Sequence, residues 1–337
     1  MSQQAPDLGG YEVVGRLAVG GMAEVYQARA KPTTQRSPGE PDDVVLKRLL
    51  PTYRNDGAYV KAFVDEAKLT VRLRHANIVR TFRLFKAGPD YLMVQELVSG
   101  RTLGFIQELL MKARTAMPPE AACYICWSIV KALDYIHRAK LGEGGGSIVH
   151  RDVNPSNILL SVAGDVKLTD FGVADVEGGT RGDTGALRGT LPYMSPEQVL
   201  GQAVDARSDL FAMGLILYEA FTGKRAFDKG DELESMHAIC DDRLSRPSGL
   251  ALPLWEVLEV ALAKQPGNRF ASALQMAEAL AEACAPAREV DVGRLMSTHF
   301  PERLRGFERL ERVHLSGNMP AAGETRLRPA VPGRSGG

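Results

Sequence analysis

The chain has little of what several protein classes require. In 337 residues there are four cysteines and two tryptophans, aromatic residues reach 7%, and Lys+Arg (41) and Asp+Glu (41) cancel to a formal net charge of zero. Four cysteines in this length do not make a disulfide framework. Cys123 and Cys126 fall inside a helical apolar pattern. They read as buried thiols, because no second Cys or His pair follows at metal-ligand spacing. A balanced charge excludes a global basic field that would draw in nucleic acid or an anionic membrane. The longest apolar stretch, around Phe211 to Phe221, carries Glu219 and is too short to span a bilayer. The opening MSQQAPDLGG has no basic segment followed by an apolar one. The expectation is a cytoplasmic protein with neither nucleic acid nor membrane as partner.

What is present fits a folded chain. Hydrophobic residues make up 45% and charged residues 24%, close to the soluble average. At roughly 150 residues per domain the length suits two domains or one two-lobed enzyme. Residues 11–30 read as two β-branched and aromatic strands joined by a Gly-containing turn, and Val44 to Leu46 as a third strand. Lys31 to Asp43, rich in Pro, Gly and Thr, reads as a surface loop. Phe63, Ala67 and Val71 recur at helical spacing, and strand-like runs follow near Ile78 to Phe85 and Tyr91 to Leu97. Beyond Ser99 and Gly100 the pattern changes to long helices, over Thr102 to Arg114, Pro118 to Arg138, Ala206 to Thr222, Leu254 to Ala263 and Ala271 to Cys284. A small sheet with one helix followed by a mainly helical part makes an α+β chain of two lobes, with a ligand cleft expected between them.

Leu141 to Ser147 contains four glycines and reads as an exposed insertion. Leu304, Phe307, Leu310 and Val313 suggest one more helix within 286–315, and 316–337, without aromatics and rich in Gly, Pro and Ala, reads as a disordered tail. The segmentation is an extension over 1–10, a main body over 11–285, the candidate helical extension and the tail.

Three stretches carry chemistry. Leu17 to Val25 places Gly20 and Gly21 between two strands, where a backbone without side chains can close over phosphates, although a plain hairpin turn would look the same. Lys47 closes the third strand, and an ammonium leaving a buried strand needs a partner, for which Glu66 on the next helix is suited. The third is His150-Arg-Asp-Val-Asn-Pro-Ser-Asn157, followed by Ile158 to Leu160 and, after a turn, by Asp170-Phe-Gly172.

This order of motifs resembles the protein-kinase family, with its H-R-D-x-x-x-x-N and D-F-G loops. Further matches run from Tyr11 to about Cys284: Gly189-Thr190, Ser195-Pro-Glu197, Asp209 and Arg269. The resemblance implies a bilobal fold, with the small lobe over 11–95, a connector over 96–100 and the large lobe over 101–285. It implies Asp152 as catalytic base, Asn157 and Asp170 as Mg²⁺ ligands, and Lys47 on the ATP phosphates while paired with Glu66. It also implies Thr190 beside the base. Leu17, Val25, Val45 and Leu159 are to sandwich the adenine, with the segment Ala18, Val19, Gly20, Gly21, Met22, Ala23 and Glu24 over the phosphates. Glu96 to Val98 are to offer backbone groups to the adenine edge, and Gln95 gates the back of the pocket. Asp209 is to support the catalytic loop, and Arg269 to pair with Glu197.

The family pattern is not followed everywhere. Ala18 and Ala23 replace two glycines of the phosphate loop, which implies a stiffer loop and a weaker grip. Asn154 stands where Ser/Thr kinases usually carry a lysine on the transferred phosphoryl group. Base and metal ligands are all kept, so the reading is an active Ser/Thr kinase that phosphorylates protein substrates, with an ATP-binding pseudokinase scaffold as the alternative. Arg151 beside Asp152 implies control by phosphorylation of the activation segment, with Thr184 first and Thr180 second as acceptors. Input is expected from that phosphorylation, from the tail around Thr325, or from a regulatory protein partner.

Overall fold

A computed structural model describes residues 8–139, 147–171, 191–284 and 289–299. The small lobe is built from β1 (Tyr11–Val19), β2 (Ala23–Ala30), β3 (Asp43–Leu49), α1 (Gly57–Thr70), β4 (Thr81–Ala87) and β5 (Asp90–Glu96). The strands form one antiparallel sheet in the order β1-β2-β3-β5-β4. Alternation decides which face each side chain joins. Val44 and Leu46 of β3 bury with Tyr26, Ala28, Leu92 and Val94 on the outer face. Leu49 packs on the other face with Ala23, Met93 and, from α1, Phe63 and Ala67. Val45 and Lys47 share that second face, so strand parity aims Lys47 toward α1.

α1 begins at Asp56, whose carboxylate accepts the N–H groups of Ala58 (2.9 Å) and Tyr59 (3.4 Å). Its buried stripe, Ala62, Phe63, Glu66, Ala67 and Thr70, includes one acid.

The large lobe opens with β6 (Gly100–Thr102), which pairs with β7 (Ile158–Ser161), itself paired with β8 (Val166–Leu168). Gly100 has to be glycine: a Cβ there would lie 1.8 Å from the Leu160 carbonyl oxygen. The helices are α2 (Leu103–Lys112), α3 (Pro119–Arg138), a short α4 (Pro196–Val199), α5 (Ala206–Thr222), α6 (Glu232–Asp241), α7 (Leu252–Ala261), α8 (Ala273–Ala283) and α9 (Glu289–His299). α5 is buried on every side from Ser208 to Leu217, which makes it the central helix of the lobe. This is the apolar run noted in the sequence. Among the described residues no helix is long and apolar enough to cross a membrane.

Several details differ from the sequence reading. Strands 81–87 and 90–96 start or end a few residues away from the periodicity estimate, because an Ile78 to Leu168 bridge and the Val79 N–H to the Leu168 carbonyl (2.9 Å) tie the preceding segment to β8 instead. α6 and the short α4 lie where the sequence reading placed no helix, and α9 falls inside the 286–315 candidate helical extension, ahead of the 304–313 stretch that suggested it. The helix expected around 304–313, the segment 141–146, the tail and residues 1–7 lie outside the described residues. Cys123 is not a free buried thiol: it is bonded to Cys284, 161 residues away, while Cys126 is buried and free.

A buried ion pair fastens α4 to the loop before α8. Arg269 donates to both oxygens of Glu197 (2.7 and 2.8 Å) and to the carbonyls of Ala263, Arg207 and Lys264 at 2.8 to 3.0 Å. Burial pushes the Glu197 carboxyl up, but Arg269 and the Ser208 hydroxyl more than offset it and hold the group below the usual range. Arg269→Ala would strand this carboxylate and is expected to lower unfolding free energy by about 3–5 kcal/mol, read as a reduced urea midpoint at unchanged slope.

Candidate active site

One ammonium meets two carboxylates from different lobes. Lys47 Nζ lies 2.7 Å from Glu66 Oε1 and 2.8 Å from Asp170 Oδ1. The Lys47 and Glu66 side chains are 8% and 4% exposed, while Asp170 remains 40% exposed at the cleft. Burial works against the charged ammonium, but attraction to Asp170 and Glu66 outweighs it and raises the Lys47 pKa. Lys47 therefore stays protonated across the physiological range.

The second group is the loop from His150 to Asn157, held from below by Asp209 of α5. Asp209 is 1% exposed. Its two oxygens accept the backbone N–H groups of His150 (2.9 Å) and Arg151 (2.8 Å), and one also meets His137 Nε2 of α3 at 2.8 Å. This fixes Arg151 in the left-handed region, φ 66°, where a non-glycine residue is strained. Gln198 of α4 donates to the Arg151 carbonyl at 2.7 Å. Asp170, φ 56°, is a second non-glycine residue in that region. Its neighbours are pinned: Thr169 N–H donates to the Asn157 carbonyl (2.9 Å), and the Thr169 carbonyl faces His150 Nε2 at 3.2 Å. The His150 ring also packs on Phe171, with centroids 4.8 Å apart. The Asp152 and Asp170 segments are thus braced against each other through a buried histidine, whose pKa burial lowers.

Asp152 is oriented by two amides. Asn154 Nδ2 donates to Oδ1 and Asn157 Nδ2 to Oδ2, each at 2.9 Å, and both also reach the Asp152 carbonyl (3.2 and 2.9 Å). Asn154 Oδ1 accepts the Ser156 N–H at 2.8 Å, which caps the 3₁₀ turn Pro155–Asn157. Burial raises the Asp152 pKa, and His150 and the two amides pull it back only in part. A carboxylate with both oxygens occupied by donors and a raised pKa has the features of a proton acceptor.

The cleft walls are legible from partial burial. Leu17, Val25, Val45 and Leu159 are half-buried, whereas Val44, Leu46, Ile158 and Leu160 beside them are buried. The hairpin turn closes with Gly20 N–H donating to the Ala23 carbonyl at 2.8 Å. The stiffer loop expected from Ala18 and Ala23 has no backbone basis in this conformation. Neither alanine is at positive φ, Ala18 pairs with Val25 within the sheet, and the Ala23 methyl packs against the α1 face. Val19, Gly20 and Gly21 are exposed at the tip, and Met22 and Glu24 are half-buried. Gln95 is buried and its Nε2 donates to Thr81 Oγ1 at 3.4 Å, inside the sheet. The Glu96 carboxylate accepts from the Arg80 N–H (2.7 Å) and Lys167 Nζ (2.9 Å), tying the connector to β8. Val98 follows, half-buried. Gly172, Thr180, Thr184, Gly189 and Thr190 lie outside the described residues.

The structure therefore joins Lys47, Glu66 and Asp170 through one ammonium and Asp152 with Asn157 through an amide, and the Thr169 contacts to Asn157 and His150 link the two groups. Sequence reasoning missed the His137 and Gln198 supports of the loop and the Lys167–Glu96 tie. Each is a polar residue on an element whose partner is set by tertiary packing.

A family model described as a protein kinase domain matches residues 11–282. The chain is 34% identical over 306 residues to the tyrosine-protein kinase MasK of Myxococcus xanthus, covering 87% of this chain and 46% of that protein. It is 35% identical over 280 residues to the serine/threonine-protein kinase PknL of Mycobacterium tuberculosis, covering 81% and 66%. It is 34% identical over 278 residues to the serine/threonine-protein kinase PknB of Mycobacterium tuberculosis, covering 79% and 41%. It spans between 41% and 66% of the length of these relatives.

Asp209→Asn would replace an acceptor oxygen by an N–H₂ group facing backbone donors. Leaving one buried N–H unpaired costs about 1–3 kcal/mol. Amide exchange at His150 and Arg151 is expected to quicken by roughly tenfold or more, with the α1 amides unaffected.

Proposed function

The chain belongs to the protein kinase family, and from that premise we propose that it transfers the γ-phosphoryl group of ATP to serine or threonine hydroxyls of protein substrates. The observation that carries the reading is the Asp152 carboxylate, clamped by Asn154 and Asn157, in the same cleft as the Lys47 bridge between Glu66 and Asp170.

The roles follow from chemistry. The half-buried apolar side chains of Leu17, Val25, Val45 and Leu159 offer two walls for a flat base, and the Glu96 to Val98 backbone offers its edge polar groups. The exposed Gly20-Gly21 tip offers backbone without side chains to the phosphates. Lys47 supplies a permanent positive charge to the α and β phosphates. Asp152 orients the attacking hydroxyl and takes its proton as the oxygen bonds to the γ-phosphorus and the bond to the β-phosphate oxygen breaks; ADP leaves. Asp170, partly exposed, and the side-chain oxygen of Asn157 are hard donors. They would hold Mg²⁺, a hard cation that takes oxygen ligands. When bound, that ion neutralises charge on the phosphates.

A groove of about 1040 Å³ runs beside this loop on the large lobe, lined by Gly104, Met111, Ser156, Tyr193, Phe221 and Arg225 among others. Its position next to Pro155 and Ser156 supports an extended protein segment as acceptor. The choice of Ser/Thr over Tyr rests on the Val153-Asn-Pro form of the loop and on two of the three relatives named above; the third is named a tyrosine kinase. Phosphoamino-acid analysis of a labelled generic substrate decides it, and phosphotyrosine alone would overturn the choice. Cytoplasmic location, a regulatory partner, and autophosphorylation at Thr184 or Thr180 complete the proposal. Mass spectrometry after incubation with Mg·ATP, beside Asp152→Asn, tests the last of these.

Asp152→Asn is expected to reduce turnover by about 10²-fold or more while nucleotide binding, followed by calorimetry, is retained; equal activity in wild type, Asp152→Asn and Lys47→Met would identify a non-catalytic scaffold.

The base must be ionised, so activity falls as pH drops through the Asp152 pKa, which burial holds above the ordinary aspartate value of about 3.9. Asn154→Ala removes a donor that favours the carboxylate. The acid limb of kcat/KM is expected to move to higher pH, whereas loss of structure alone would lower the plateau without moving the limb.

A further inference from the structure

The Cys123–Cys284 pair has no part in the phosphoryl-transfer reading and lies away from the cleft. Cys123 is on the first turns of α3, 5% exposed, and Cys284 caps the end of α8, half-buried. Their Cα atoms are 6.3 Å apart, within the span of a disulfide. The bond is not what holds these helices together. Ala273, Met276, Ala277 and Leu280 of α8 are buried in the same apolar cluster as Ala121, Ala122 and Ile125 of α3. Packing therefore keeps the two sulfurs adjacent whether or not they are joined, which is the condition for a bond that can open and close again.

We propose that Cys123 and Cys284 form a reversible thiol–disulfide site, oxidised by a peroxide and reduced by a dithiol, that fastens the C-terminal end of α8 to α3. Cys284, the more exposed residue of the two, is the one that meets the oxidant and the reductant. Its thiolate takes an oxygen from hydrogen peroxide, giving a sulfenic acid and, with one proton, water. The Cys123 sulfur then displaces the hydroxyl, which leaves as a second water. The sum is two thiols and one peroxide to one disulfide and two waters. In the reverse direction a dithiol attacks Cys284, and both sulfurs return as thiols while the dithiol closes to its cyclic disulfide.

The other cysteines are unsuited to compete. Cys126, one turn further along α3, is fully enclosed, and burial pushes its thiol up to about 12. Cys240, on α6, is half-buried and bonded to no other cysteine.

The site has a structural readout. α9 begins five residues after Cys284 and buries Val292, Leu295 and Met296. At Gly293 it approaches the Ala163 carbonyl in the β7–β8 turn, where a Cβ would sit 3.4 Å away. The neighbouring Val162 N–H donates to the Ser99 carbonyl of the connector at 2.9 Å. Opening the bond removes the covalent anchor nearest to α9, so the reduced protein is to hold α9 less firmly against this turn.

The test uses the full chain, reduced and then exposed to hydrogen peroxide, with peptides mapped under non-reducing conditions. The expected result is a linked Cys123–Cys284 peptide that accumulates with peroxide, disappears on native treatment with dithiothreitol and returns on reoxidation. Reduction is expected to lower Tm by about 5 °C or more and to quicken amide exchange over 292–296 by roughly tenfold. Cys126→Ala and Cys240→Ser should keep the whole response and Cys284→Ser should abolish it. The proposal is overturned if peroxide yields no such peptide, if Cys123 links to another cysteine, if dithiothreitol cannot open the bond in the folded protein, or if exchange in α9 ignores the redox state. The wild-type cycle alone decides these outcomes, so a variant that fails to fold does not obscure them.

Discussion

The rest of the cleft depends on one ammonium shared between carboxylates of two lobes. Lys47 reaches it by strand parity: on β3 the odd positions face α1 and the cleft, and Glu66 is the one acid in the buried stripe of α1. Asp170 arrives from the large lobe, next to β8. A buried pair is weak evidence for stability, since desolvation offsets most of the attraction. Its value here is registration. If α1 rotates by one residue or the lobes shift by a few ångströms, a charge is left buried without a partner, and that state is penalised heavily. Since Asp170 is also a candidate metal ligand, the contact that sets the lobe spacing sets where the phosphates would lie.

The large lobe supplies a rigid counterpart. Asp209 is placed by α5, which is enclosed on all sides and has little freedom to adjust. Its carboxylate holds two consecutive backbone N–H groups, and the cost of the left-handed Arg151, about 1–2 kcal/mol, is offset by those two bonds and by Gln198 on the Arg151 carbonyl. Gln198 belongs to the short helix whose Glu197 is locked to Arg269. Three segments far apart in sequence, 150–157, 195–199 and 205–217, are therefore one mechanical unit, and Asp152, the proposed base, is carried on it.

How much of this the sequence showed depends on the range of the interaction. The β-branched and aromatic runs of the first three strands, the helical spacing of Phe63 and Ala67 in α1 and the long apolar α5 are local patterns and could be read directly. The motif residues that meet in the cleft were readable because their types and order are constrained together. α6 escaped because what it buries is a short stripe, Ser235, Ala238 and Ile239, while its Leu233 is exposed, and its clearest mark was the capping acid Asp231 accepting from the Glu234 N–H. The Cys123–Cys284 bond was invisible, since nothing in spacing relates positions 161 apart. Gln95 shows a different limit. Its place before the connector was legible, but its amide turns to Thr81 because that hydroxyl lies on the neighbouring strand of the same face, a contact fixed by the β4–β5 register.

Asn154 shows what a departure from a family pattern can accomplish. Judged by charge, replacing a lysine here removes a cation from the reacting phosphoryl group and weakens transition-state stabilisation. Judged by geometry, the amide does two things a lysine cannot do together: it donates to Asp152 and accepts the Ser156 N–H that starts the turn carrying Asn157. The loop gains a fixed base and a fixed candidate metal ligand at the expense of one positive charge. Positioning and charge are separable contributions to rate, and the loss of one need not abolish the other. Among the described residues Lys47 is a cation whose charge is secured by Glu66 and Asp170, and on the proposed reading it would face the phosphates. The ion pair that aligns the lobes thus also carries a larger share of the electrostatic work, and this links the unusual asparagine to the strength of the bridge across the cleft.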